Sequence, residues 1–124
     1  MFMDKTDFIN RTKLFALRII KLADKLYTIG GVARILSDQL VRSGTSVGAN
    51  YRAACRAKST KDFLNKLKIC EEEADETIYW LELLMESNSI PSGLLTGLCE
   101  EAKQLTAILT ASIKTLKKNI SESP

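Results

Sequence analysis

The sequence predicts an all-α protein, an up-down-up-down four-helix bundle. Apolar residues recur at helical spacing through four long segments, and no segment of useful length alternates with the period of a strand. The breaker stretches "TIGGV" and "SNSIPSG" fall between those segments. Only two prolines occur in 124 residues, and one of them, Pro124, is the last. Four helices joined by short turns are most simply folded back and forth in chain order, as one domain over residues 1–124.

The first helix is predicted over about residues 7–28, where Phe8, Phe15, Ile19, Leu22 and Leu26 share a face. "TIGGV" ends it, with Gly30 suited to a helix C-cap. The second is predicted over residues 32–57. Ser59 with Asp62 resembles a capping box and opens the third, over residues 60–87, with Phe63, Leu67, Cys70, Ala74, Leu81 and Met85 facing inward. "SNSIPSG" stops it. The fourth, over residues 92–120, carries Leu95, Leu98, Ala102, Leu105, Leu109, Ile113 and Leu116, and "SESP" is expected to fray. No apolar run approaches the ~20 residues that cross a bilayer. "MFMDKTDF" lacks the pattern of a secretory signal.

The second helix contains an unusual stretch, "SGTSVGANYRAACRAKS" from Ser43 to Ser59. Turned at about 100° per residue, it shows three faces. Leu36, Leu40, Ser43, Val47, Asn50, Tyr51 and Ala54 make a core face. Ser37, Gly44, Gly48 and Cys55 make a small-residue strip beside Val41, where another helix or another subunit could approach closely. Arg34, Arg42, Arg52 and Arg56 make a cationic side. Each glycine weakens a helix by about 1 kcal/mol, so the alternative is a loop centred on "SGTSVG". Asn50 reads as structural, bonding across helices or capping a turn.

Composition removes several chemistries. With no histidine, Ser-His and Cys-His nucleophiles and His-based metal sites are unavailable. Cys55, Cys70 and Cys99 form neither a disulfide framework nor a CxxC pair, which suits buried thiols in a reducing cytoplasm. No cofactor is expected. The net charge is only +3, but it is unevenly spread. Residues 34–68 hold eight cations and two acids, whereas residues 69–102 hold nine acids and no cation.

An up-down-up-down course would bring Lys5, Arg11, Lys13, Arg52, Arg56, Lys58, Lys61, Lys66, Lys68, Lys114, Lys117 and Lys118 to one end. Only Asp4, Asp7, Asp62 and Glu122 would oppose them. The candidate nucleic-acid-binding residues are therefore Arg42, Arg52, Arg56, Lys58, Lys61, Lys66, Lys68, Lys114, Lys117 and Lys118, which would neutralise phosphates of RNA or DNA. On the third helix Glu71, Asp75, Glu82 and Glu86 lie within about 60° of each other, and Glu72 and Glu76 extend the stripe. This stripe could meet the arginine side of the second helix within one chain, or between copies in a ring. Tyr79 and Trp80 add apolar bulk on further sides of that helix. Gly44, Gly48, Tyr51, Trp80, Glu71 and Asp75 are the candidate oligomer interface.

Two other functions fit parts of the sequence. A protein–protein adaptor could use the acidic stripe or the small-residue face. Glu72-Glu73-Ala74-Asp75-Glu76 matches the EExxE pattern with which all-α nucleotide pyrophosphohydrolases hold magnesium. Their second half-site, ExxD, is not matched, because Lys103 and Gln104 follow Glu100 and Glu101 at that spacing.

Gln39 to Leu84, "QLVRSGTSVGANYRAACRAKSTKDFLNKLKICEEEADETIYWLELL", resembles the four helix bundle protein family. Its first recognised members are encoded by intervening sequences in bacterial 23S ribosomal RNA genes, and accessory proteins of diversity-generating retroelements look like relatives. Ser46, Val47 and Asn50, with Phe63 and the run Glu73 to Leu84, carry the resemblance. It implies a homopentameric barrel of four-helix subunits and a nucleic-acid role without an established catalytic activity. Members often carry a glutamate shortly after the asparagine, where this chain has Ala53 and Ala54.

Overall fold

The computed structural model describes residues 4–87 and 90–122. These residues form four α-helices and one short 3-10 turn, with no strand among them, which is consistent with a four-helix bundle. The helices are α1 (Lys5–Ile29), α2 (Val32–Ala54), α3 (Thr60–Glu86) and α4 (Thr96–Glu122), with the 3-10 turn over Ser92–Leu94. Asn88 and Ser89 of the expected break, Ser123 and Pro124 of the expected frayed tail, and residues 1–3 lie outside the described residues.

Each helix end has a local cause. The Asp4 carboxylate accepts from the Thr6 amide at 2.8 Å and opens α1. Gly30 and Gly31 close it with φ of +79° and +60° and ψ near the extended range, a conformation that side chains other than glycine rarely adopt. The Gly30 amide still donates to the Leu26 carbonyl. At α3, the Ser59 hydroxyl accepts from the Asp62 amide at 3.1 Å. Asp62 returns the contact one residue upstream of the usual capping box, accepting from the Lys58 amide at 3.3 Å. The Lys66 ammonium, 2.8 Å away, holds the Asp62 carboxyl below its ordinary range, and the Lys58 amide adds to this.

The segment 43–48 is helical, so the loop alternative is overturned. Its polar side chains bond their own helix. Ser46 donates to the Arg42 carbonyl at 2.6 Å and Thr45 to the Val41 carbonyl at 2.7 Å. Asn50 donates to the Ser46 carbonyl at 2.8 Å, rather than across helices or into a cap. α2 ends at Ala54 rather than near Ala57, because the chain tightens there, with Arg56 and Ala57 amides donating three residues back to Ala53 and Ala54.

α2 packs extensively against α1 and α3, and α3 against α4, while α1 meets α4 sparsely. At the start of α1 the Phe8 ring meets Tyr51, near the end of α2, edge to face at 4.7 Å. Ser43 of α2 and Thr77 of α3 share a buried hydroxyl bond of 2.9 Å. Thr110 of α4 donates to Glu71 of α3. The apolar faces of α1 and α4 are buried as predicted from their spacing. On α3 the buried line also includes Leu64, Thr77 and Leu84, while Phe63 and Met85 lie at its edge.

Candidate nucleic-acid interface

The end of α2 is built so that two cations stand clear of the core. Tyr51 and Ala54 turn inward and anchor the last turn, which leaves Arg52 and Arg56 outside. Neither arginine has a carboxylate within salt-bridge distance among the described residues. Both line two adjoining grooves, one on each side of α2.

The first groove, of about 560 Å³, runs between α1 and α2. Lys13, Arg52 and Arg56 supply its charge, Ile9, Ala16, Gly48 and Ala49 its apolar surface, and Asn10 and Thr45 its polar side chains. No acid lines it. The second, of about 530 Å³, lies toward α3 and adds Lys58 and Lys66, with Asp62 as the one acid. Asp62 is already engaged by Lys66, so the cationic surplus of the pair of grooves is Lys13, Arg52, Arg56 and Lys58.

The other predicted cations are distributed differently. Arg42 lines neither groove and pairs with Glu73 and Glu76 of α3, so its charge is balanced within the chain. Of the two ways the acidic stripe could meet the arginines, this contact is the one within a single chain. Arg11 is likewise neutralised. Its guanidinium grips Glu101 of α4 through two bonds of 2.8 and 2.9 Å and reaches Gln104. That fork holds the Glu101 carboxyl below its ordinary range. Lys5 sits over the Phe63 ring, 4.9 Å from its centre. Lys61, Lys114, Lys117 and Lys118 are exposed and Lys68 is half-buried, and none of them lines either groove.

The proposed oligomer-interface residues divide in two. Gly44, Gly48 and Tyr51 are buried against α1 of the same chain, Gly44 at Ile19, Gly48 at Thr12 and Tyr51 at Phe8, and Gly48 also lines the first groove. The missing side chains of the two glycines make room for Ile19 and Thr12. Trp80, Glu71 and Asp75 remain at the surface of α3, the first two partly buried. The Trp80 indole donates to Glu76, and its ring meets the exposed Tyr79 edge to face at 5.2 Å. Two of the EExxE carboxylates, Glu73 and Glu76, are thus turned toward Arg42. Among the described residues no three acid, cysteine or histidine side chains come together as a metal would need.

Cys70 is buried, and its thiol is pushed up to about 12 by desolvation, so it stays neutral and apolar in character. Burial raises Cys99 as well. Cys55 is partly exposed between the groove arginines. The wall that α1 contributes, Ile9, Asn10, Lys13 and Ala16, escaped the sequence reading apart from Lys13. Pairing the glycines of α2 with bulky residues of α1 would have revealed it, because Gly48 against Thr12 and Gly44 against Ile19 fix the register. No helix among the described residues is long and apolar enough to cross a membrane.

A family model described as 23S rRNA-intervening sequence protein matches residues 4–111. No curated protein matches the chain. Among solved structures, a protein with unknown function from the S23 ribosomal protein family of Bacteroides thetaiotaomicron is 37% identical, with a TM-score of 0.81. The match covers 90% of this chain and 99% of that one.

Proposed function

The chain belongs to the 23S rRNA-intervening sequence protein family, and from that premise we propose that it is a non-enzymatic, oligomeric protein that binds the phosphate backbone of RNA or DNA. One observation carries this reading: Arg52 and Arg56, without a carboxylate partner among the described residues, both line two grooves with Lys13 and Lys58 beside them. Such cations displace the counterions condensed on phosphates, and the gain depends steeply on salt. A single-domain, up-down-up-down course of the helices accompanies the proposal. Phe8 against Tyr51, Ser43 against Thr77 and Glu71 against Thr110 support it, as does the approach of Lys5 and Leu116 at one groove.

Fluorescence anisotropy of a labelled oligonucleotide across a salt series tests the reading. If Arg52 and Arg56 each neutralise one phosphate, Arg52→Ala with Arg56→Ala lowers the slope of log K against log salt by roughly 1.4 on a single strand. A salt-independent affinity, or an unchanged slope in the double variant, overturns it. Tyr79, exposed beside Trp80, favours the second reading, a protein–protein adaptor docking on α3. That reading requires salt-insensitive binding to a protein and none to nucleic acid.

A further inference from the structure

Building on Arg52 and Arg56 as phosphate ligands, we infer that the groove between α1 and α2 receives an unpaired nucleobase, so that the protein takes single-stranded rather than duplex nucleic acid. At about 560 Å³ the groove falls in the size range of small-ligand sites. Its walls order two chemistries in one recess. Ile9, Ala16 and Ala49 offer apolar surface, whereas Lys13, Arg52 and Arg56 offer positive charge, and no carboxylate among the described residues lines the space. A nucleotide has the same division, a flat ring that gains from leaving water and a phosphate that needs a cation. A polypeptide partner of mixed charge has no such match to a groove with three cations and no acid.

Asn10 lines the same groove, and its exposed amide carries both donor and acceptor atoms for a base edge. A duplex keeps its bases stacked and offers its backbone outward, so a base reaches a recess only after the costly step of flipping. A single strand splays its bases at little cost. No aromatic ring among the described residues lines the groove, so the base is held by apolar contact and the amide rather than by stacking. On the other side of α2, past Ala49 and Ala53, the second groove shares both arginines and adds Lys58 and Lys66. A neighbouring phosphate of the same strand therefore has its own seat, and the strand crosses α2 near Arg52.

The experiment compares three labelled RNA probes on the full chain by anisotropy over the same salt series: a short single strand, the same strand with every base removed, and a duplex of equal length. The single strand is expected to bind about tenfold more tightly than the abasic strand, and more tightly than the duplex. Ala16→Leu, which narrows the groove away from the arginines, is expected to abolish that preference and leave the salt slope intact. Equal affinity for the intact and abasic strands, or for the duplex, overturns the nucleobase site while leaving backbone binding in place. A variant that keeps the preference but changes mass in sedimentation assigns the groove to a second copy and overturns it too. Failure of all three probes to bind at low salt overturns both readings. The probe comparison needs no variant, so it stands even if Ala16→Leu does not fold.

Discussion

Gly44 has no side chain because Ile19 occupies the space a methyl group would need. A Cβ built there would lie 2.9 Å from Ile19 Cγ1 and 3.3 Å from Ile19 Cβ, and the latter cannot swing aside. Gly44→Ala gains about 1 kcal/mol of helix propensity. It also overpacks the α1–α2 contact, which costs about 1–3 kcal/mol. The expected outcome is a net loss of about 1 kcal/mol in urea unfolding; a more stable variant would mean that the two helices have room to part. Ser37 predicts the opposite sign. Its hydroxyl is fully buried with no hydrogen-bond partner among the described residues. Ser37→Ala removes an unpaired polar atom and substitutes a better helix former, so stability should rise by about 1 kcal/mol. A measured loss would reveal a partner for Ser37.

At the scale of the helices, the seam between α1 and α4 depends on a clasp. These helices meet sparsely, and Arg11 bridges them through its fork onto Glu101. Because the Glu101 carboxyl is held below its unfolded value, the pair stabilises the fold above that value. The contribution disappears as pH falls through the folded value, below the ordinary glutamate range near about 4.3. Glu101→Gln should therefore cost about 1 kcal/mol at neutral pH and almost nothing near pH ~2, read by denaturant unfolding at both. A deficit that persists in acid would place the effect in packing instead. The helices themselves were legible in the sequence because spacing and breakers record burial directly: every apolar position proposed for α1 and α4 is buried. The pairing of Arg42 was hidden for a physical reason. A wheel places Arg42 beside Arg52, but only the packing of α3 brings Glu73 and Glu76 to it. The α1 wall of the groove was hidden likewise, since a cavity between two helices belongs to neither sequence pattern alone.

For the whole molecule, the outer face of α1 sets the question of assembly. Leu14, Leu17 and Ile20 are 59%, 53% and 43% exposed, within about 120° of one another around the helix. Tyr79 stands out on α3 in the same way. Each copy carries a net charge of +3, so copies repel weakly and apolar contact must supply the affinity of any ring. The acids left open on α3, Asp75 and Glu72 among them, would set orientation against a neighbour's cationic edge. Light scattering at micromolar concentration is expected to give a multiple of the 13.8 kDa chain mass, five for the barrel the resemblance implies. Leu17→Lys, at the centre of the exposed face, should shift that mass to the monomer. It should leave the urea midpoint of the monomer within about 0.5 kcal/mol, because the side chain already faces water. A wild-type chain that scatters as a monomer would remove the ring, and the salt slope of nucleic-acid binding would then report the cations of one pair of grooves alone.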